Sequence, residues 1–403
     1  MRLPRRRTRD RRRPRAPAHD DGRQEPRRYA EAIDADRQAV DEGRRRRAEA
    51  LADLWRAFAE HECGSYSPLY ASITKAVAED EELLDLVLAG PPHAHQPNVL
   101  LAAVHYLVLS GLEHPLASVY ARGRATADAP AKFRDLCLTH RGELLELITT
   151  RRTQTNECGR SAVLALGLAV AADRLGEPLG LLDAGASAGL NLLIDEYRLD
   201  YGPHGALGPA HSPVVVECAI RTPALRLPPR LPLFSRRLGL DRSPVDVTKA
   251  DDVRWLLACV WPDTGRLPRT AAAIDLARRH RPPVVAGDMV TDLRGVLGTF
   301  SPDTAVAVVT SWAYAYLSPD GRRQFVEILM DEGRRRPIAW VSAEGPGVVE
   351  LFDPPPPPAG EGTNPSVLGL ALFEGSAPDA EALALVHPHG TWLDWRGAMT
   401  VPA

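Results

Sequence analysis

Lysine is almost missing from this chain. Among 403 residues only Lys75, Lys132 and Lys249 occur, and arginine carries nearly all the positive charge. There is no basic excess either, because the formal net charge is -3. A duplex-binding surface shows a clear surplus of Lys and Arg, so nucleic acid is not an expected partner. Cysteines are few and scattered: Cys63, Cys137, Cys158, Cys218 and Cys259, with no CxxC pair. That pattern speaks against a disulfide framework and against a zinc site, and it predicts reduced thiols, no metal and a cytoplasmic location. No apolar run reaches the roughly 20 residues that cross a bilayer, so no membrane is expected. Internal repeats are also lacking. What remains is an ordinary globular composition, 44% hydrophobic and 25% charged.

The first 28 residues are Arg- and Pro-rich, as in Arg5-Arg6-Arg7 and Arg11-Arg12-Arg13, with little to bury, so a disordered tail is expected. From 29 to 170 the pattern is helical. Leu51, Leu54, Trp55 and Phe58 share one face, Ser67-Pro68 breaks the chain, Leu69 to Leu88 resumes helical spacing, and Leu100 to Leu109 is apolar nearly all round. After Gly176 the period changes. Pro178 to Asp183 reads as a buried strand, Gly185 to Gly189 as a tight turn and Leu190 to Tyr197 as a helix. A Pro- and Gly-rich stretch from about 201 to 232 reads as an inserted hairpin. Further strands are predicted at Arg237–Asp241, Pro283–Asp288, Ala305–Thr310, Ile338–Ser342, Val367–Phe373 and Ala384–His387, with Trp392-Leu-Asp-Trp395 closing the domain and Pro354–Pro358 as a stiff loop. Strands alternating with helices predict an α/β fold over 171–403: a Rossmann-like, seven-stranded, mainly parallel sheet preceded by an α-helical domain.

The strongest local signal is Leu181-Leu-Asp-Ala-Gly-Ala-Ser-Ala-Gly-Leu-Asn191. A strand, a turn of small residues and a helix start in succession let a ligand approach the backbone and meet free N–H groups. One sharp reading is the S-adenosylmethionine loop of a class I methyltransferase, with Asp183, Gly185 and Gly189 matching acid-x-Gly-x-Gly-x-Gly and Ser187 in place of the middle glycine. Asp183 would then sit near the methionine end, and Asn191, just past the turn, is a further candidate cofactor contact. The other sharp reading is a nucleophile elbow, because Gly185-Ala-Ser187-Ala-Gly189 fits G-x-S-x-G and Asp288 and His389 follow in hydrolase order. The segment upstream reads as helical and lacks an HGGG-like run, which counts against a hydrolase. A tight turn without chemistry is the bland alternative.

Context extends the cofactor reading. Asp288 ends a strand where an acid would hold the adenine amino group. Thr310-Ser311-Trp312-Ala-Tyr314-Ala-Tyr316 follows the next strand, placing Ser311 by the cofactor, Trp312 by a substrate and Tyr314 as a candidate catalytic residue. A ribose-binding acid belongs about 20 residues past the glycines. Asp241 is the natural choice, displaced by the insertion, with Asp195 or Asp200 as alternatives. The polar run from Arg151 to Arg160 offers Gln154, Asn156 and Arg160 to a substrate and Glu157 as a base. His389, in His387-Pro-His389-Gly390, is a second candidate base. His105 lies in an apolar helix and reads as a satisfied core histidine. The acceptor is expected to be a small molecule with an O or N nucleophile; a fold that binds without turnover is the third hypothesis.

Several segments resemble the bacterial family called domain of unknown function 2332: Ser65-Tyr-Ser-Pro-Leu-Tyr70, Leu100-Leu-Ala-Ala-Val-His-Tyr106, Gln154-Thr-Asn-Glu157, Gly185 to Asn191, Cys259-Val-Trp-Pro262 and His387-Pro-His-Gly390. The resemblance covers about residues 50 to 397. It implies no biochemistry, so the methyltransferase expectation stands on the fold argument alone.

Overall fold

A computed structural model describes residues 25–64, 66–353, 365–375 and 377–397, with side chains from residue 42 onward. The expected tail, residues 1–28, lies outside the described residues except for its last four, and so does the Pro354–Pro358 loop. The chain divides into two units, Met1–Ala50 and Leu51–Ala403. In the first unit the described residues are the opening turns of α1 (Glu25–Phe58), where Arg46 pairs with Glu42 one turn away. Both the later helices and the sheets belong to the second unit.

That unit begins with a layer of helices: α2 (Pro68–Ala78), α3 (Glu81–Leu88), α4 (Pro97–Leu109), α5 (Pro115–Arg122), α6 (Ala129–Thr139) and α7 (Arg141–Thr150). The single run expected over Leu69–Leu88 is two helices. Asp80 ends the first and caps the second, accepting from Glu82 and Leu83 N–H, because a short carboxylate competes with the helix for its own backbone. Trp55, Leu51 and Phe58 are buried as expected, but Leu54 is exposed. In α4 the His105 Nδ1 meets the Ala258 carbonyl at 3.1 Å, and burial pushes its pKa down to about 4, so it is a satisfied core imidazole.

The remaining helices are α8 (Ser161–Leu175), α9 (Ala250–Ala258), α10 (Leu267–His280), α11 (Leu293–Leu297) and α12 (Pro319–Gly333). The strands are β1 (Leu179–Ala184), β2 (Arg198–Asp200), β3 (Ala206–Leu207), β4 (Val215–Glu217), β5 (Ala219–Ile220), β6 (Phe234–Asp241), β7 (Val284–Ala286), β8 (Val306–Ser311), β9 (Ile338–Glu344), β10 (Ser366–Phe373), β11 (Asp379–Val386) and β12 (Trp392–Trp395). Nine of them form one sheet in the order β5-β12-β11-β10-β9-β8-β1-β6-β7. The sheet is mixed: β7, β6, β1, β8 and β9 run parallel, whereas β9, β10, β11 and β12 alternate in direction. This corrects the expected seven mainly parallel strands. The links β10–β11 (residues 374–378) and β11–β12 (residues 387–391) are too short for a parallel crossover, so these neighbours are antiparallel.

Side chains alternate across the parallel strands with the two-residue period of a pleated strand. Leu181, Val309 and Val341 join the core beneath α8 and α10, while Leu182, Val308 and Trp340 join the core beneath α11 and α12. Helix α8 is apolar on every side and buried from Ser161 to Ala172, as a helix pressed between layers must be. The expected hairpin over 201–232 is a fuller insertion. β2 pairs with β3 antiparallel and with β4 parallel, and β5 goes on to extend the main sheet beside β12. Among the described residues no helix is long and apolar enough to cross a membrane.

Candidate functional site

The order of strands reverses at β1. Its partners are β6 on one side and β8 on the other, and in open α/β sheets the carboxyl ends of such strands receive ligands. Here β1 ends in Asp183 and Ala184, β6 in Asp241, β8 in Ser311 and β9 in Glu344. The turn after β1 is tight. Gly185 and Gly189 have φ of 97° and 71°, and Ser187 has φ of 51°, a left-handed value that strains a residue bearing a Cβ. A Cβ on Gly185 would run into the Ala313 Cβ, so only glycine lets the turn and the segment after β8 meet. The expected helix over Leu190–Tyr197 is a kinked 3-10 stretch, Leu190–Glu196, broken at Leu193. It therefore lacks the aligned dipole of an α-helix.

Three expected ligand residues instead hold the turn. Asp241 accepts from Ser187 N–H at 2.8 Å and from Ser243 N–H at 2.8 Å. Asn156 accepts from Leu190 N–H at 2.9 Å, and Asn191 accepts from the Ser161 hydroxyl at 3.0 Å. Two polar atoms at the turn stay unsatisfied: Asp183 Oδ2 and Ser187 Oγ are buried with no hydrogen-bond partner among the described residues. Burial, and then the Asp241 charge, push the Asp183 pKa up to about 7, against the pull of Arg160.

Arg160 is the second feature. It is 7% exposed. Its Nε donates to the Pro388 carbonyl at 2.7 Å, and its Nη1 to the Ser311 carbonyl at 3.0 Å and hydroxyl at 3.2 Å. All three acceptors are neutral, so this buried guanidinium has no direct carboxylate partner. It ties the end of β8 to the turn between β11 and β12.

That turn carries His387 and His389, and an aromatic and charged cluster surrounds it. The Tyr66 ring stacks on His389 at 5.0 Å and lies 5.5 Å from His387. Glu157, 3% exposed, pairs with Arg266 at 2.5 Å and Arg269 at 3.0 Å and accepts from Gly159 N–H. Burial alone would raise its pKa, but Arg266 first, and Arg269 with it, outweigh that and hold the carboxyl far below the usual range. It is a fixed counter-ion and a poor base. His389 Nδ1 faces Arg266 Nη1 at 3.2 Å. Burial and Arg266 hold its pKa well below the ordinary value, so the ring is neutral. The cluster closes through two glycines. A Cβ on Gly159 would sit 2.5 Å from the His389 carbonyl oxygen and 2.7 Å from Arg269 Nη2, and one on Gly390 would strike the Gly159 carbonyl. Gly159→Ala is expected to cost about 1–3 kcal/mol in urea unfolding, because the backbone contact cannot give way.

The other predicted residues lie elsewhere. Tyr314 donates to the Arg322 carbonyl at 3.1 Å and packs against Phe325 and Trp340, so it belongs to the core. Trp312 donates its indole N–H to Ser366 at 2.9 Å. Gln154 donates to the Ser243 carbonyl at 2.6 Å. Asp288 accepts from Arg242 Nε at 2.7 Å and caps Val290 and Thr291, which commits its carboxylate. Asp195 is held by Arg237, and Asp200 accepts from Gly202 N–H. The unpartnered Ser187 hydroxyl contacts neither Asp288 nor His389 by a hydrogen bond, so no Ser-His-Asp relay is assembled. Sequence reasoning missed Tyr66, Arg266, Arg269 and Glu344 as site residues. Only Tyr66 carried a signal, in the Ser65–Tyr70 segment. Glu344 accepts from the backbone N–H groups of Ala313, Tyr314 and Ala315 and so fixes the segment after β8.

Fold and site together define a mixed α/β protein with a buried polar cluster at the carboxyl edge of a largely parallel sheet. Residues 52–395 match the family model described as "Uncharacterized protein conserved in bacteria (DUF2332)", and the chain belongs to that family. No curated protein matches the chain.

Proposed function

We propose that the protein is an S-adenosylmethionine-dependent methyltransferase acting on a small molecule. The observation that carries this reading is a complementary pair at the point where the strand order reverses. Among the described residues, Asp183 holds a buried carboxylate oxygen without a donor, and Arg160 holds a buried guanidinium whose hydrogen bonds all go to neutral acceptors, with Glu157 and Glu344 attracting it only through space. Either deficit is expensive by itself. A ligand with a free α-amino acid end supplies both missing groups, its ammonium to Asp183 and its carboxylate to Arg160. S-adenosylmethionine has that end next to its methyl-bearing sulfur.

The five parallel strands support the reading, since β7-β6-β1-β8-β9 is the order of a doubly wound nucleotide-binding sheet. The residues fit the methionine end well. Asp241 keeps unused lone pairs for a ribose hydroxyl beside its two backbone bonds. Asp288 does not suit the adenine role while it holds Arg242. When bound, the cofactor supplies an electrophilic methyl group. The chain then has to position the acceptor in line with it and exclude water, and positioning can supply most of the acceleration.

Calorimetric titration with S-adenosylmethionine and S-adenosylhomocysteine tests the reading. Micromolar binding is expected, with proton release near pH 6.5 because Asp183 must ionise to take an ammonium. Release is read from the difference in heat between two buffers of unlike ionisation enthalpy. Absence of binding to folded protein sinks the proposal.

A further inference from the structure

We infer that the Tyr66–His387–His389 cluster is a carboxylate subsite, and that the methyl acceptor is a carboxylic acid in its ionised form. As an acceptor assignment this rests on the methyltransferase reading; as a carboxylate subsite it does not.

The first argument is tautomeric. His389 Nδ1 lies 3.2 Å from Arg266 Nη1 and 3.6 Å from Glu157 Oε2; a guanidinium can only donate, and only the nearer contact is within hydrogen-bond reach, so this nitrogen is assigned as an acceptor. The His387 Nδ1 accepts the His389 backbone N–H at 3.1 Å. Both rings are neutral, so each must carry its proton on Nε2. The turn therefore offers two Nε2–H donors, one from each ring, with the ring centres 5.7 Å apart.

The second argument is charge. Arg266 and Arg269 face the single carboxylate of Glu157, and Arg160 acts on both histidines as well, so positive charge prevails around the two rings. Arg269 Nε is also buried without a partner. A monoanion offsets that charge, and a carboxylate is the monoanion whose two oxygens suit adjacent N–H donors.

The third argument is the lack of a base: among the described residues of this cluster no group is placed to act as one, and Asp183 is taken by the ammonium of the cofactor in the methyltransferase reading. Glu157 is tied to three donors, and His389 presents its acceptor nitrogen to Arg266 rather than outward. A hydroxyl or ammonium acceptor would need its proton removed. A carboxylate needs none. A carboxylate oxygen forms the bond to the methyl carbon, the sulfur–methyl bond breaks with its electron pair going to sulfur, and the two opposite charges cancel. No proton moves, and a methyl ester and the thioether are the products. Arg160 reaches from Ser311 beside β1 to Pro388 within the turn, which sets this subsite next to the proposed cofactor end.

The test uses the full chain and two isosteric probes, benzoate and benzamide. Long-range 1H–15N correlation of the imidazoles reads the tautomers directly, and titration reads binding at His387 and His389. Expected are Nε2–H tautomers for both rings, benzoate shifts at both, and benzamide binding at least about tenfold weaker. His389→Ala should weaken benzoate about tenfold, while His389→Gln, which keeps an N–H donor, should stay within about threefold of the native chain. Nδ1–H tautomers overturn the inference. So does benzamide binding as well as benzoate at these two rings. The same titration with and without S-adenosylhomocysteine separates the two ideas. Benzoate binding without homocysteine-nucleoside binding leaves the subsite standing and fells the methyltransferase; the converse fells the subsite alone.

Discussion

Asp183→Asn is expected to stabilise the fold at pH 8 by about 2 kcal/mol while weakening S-adenosylmethionine about a hundredfold. The two effects have one cause. Burial and the Asp241 charge lift the Asp183 carboxyl from an ordinary value of 3.8 to about 7. A raised carboxyl means that the folded chain binds more protons than the unfolded one between those values. Stability from this group is thus greatest below pH 4, falls as pH rises through 7, and is flat above. At pH 8 the native chain bears the full penalty of a buried carboxylate with an unpartnered oxygen. Asparagine keeps the shape and drops the charge. Its own amide is still poorly satisfied, which is why the gain is put below the full shift. The ammonium of the ligand, however, loses its counter-charge. Urea unfolding at pH 8 and pH 5 should show a gain that shrinks at the lower pH, and calorimetry should show the loss of affinity. A variant that is less stable at pH 8, or that binds the cofactor normally, would refute this role for Asp183.

Much of the fold was legible because it rests on period and punctuation. β8 and β9 are fully or nearly fully buried runs rich in branched side chains, and nothing but a covered strand suits such a run. The turn at Gly185 was legible because small residues between a strand and a second apolar run have few other uses. Strand number was not legible. β5 and β7 are two and three residues long, too short for any period to show, and the long link from β9 to β10, residues 345–365, leaves the direction of β10 open by length alone. The helix after the glycines failed at least in part because the Tyr197 hydroxyl bonds the Leu190 carbonyl, a backbone acceptor that a helix would need.

The site was legible as a set of places and less so as a set of roles. Four of the family-like segments, near Tyr66, Glu157, Gly185 and His389, do converge at the carboxyl edge of the sheet. Yet Asn156 and Asp241 brace the turn, and Glu157 is a counter-ion. Those roles depend on which arginines arrive from α10, and Arg266 and Arg269 look like any others in an arginine-rich chain. Partnering decides chemistry here: a carboxylate with two guanidiniums is inert, and one with none is poised.

Glu157→Ala follows from that contrast and is expected to cost about 3–5 kcal/mol, the largest loss of any single change at the site. Removal strands Arg266 and Arg269, whose side chains are 6% and 18% exposed, without their anion. It also frees the Gly159 N–H that Glu157 accepts, loosening the backbone contact on which the His387–Gly390 turn rests. The pH dependence has the opposite sign to that of Asp183. Arg266 and Arg269 hold the Glu157 carboxyl below its ordinary value, so its stabilisation is complete above about pH 4.5 and is lost as pH falls below. Urea unfolding should therefore show the widest gap between native and variant chains near pH 7, narrowing below pH 4. A second variant separates stability from recognition. Glu157→Met combined with Arg266→Met and Arg269→Leu replaces the buried ions by apolar groups of similar size, which is often neutral for folding. It should regain most of the lost stability and still fail to bind benzoate, because the Arg266 and Arg269 charges that attract it are gone. If the triple variant binds benzoate as the native chain does, the arginines serve only the fold and the carboxylate subsite is wrong.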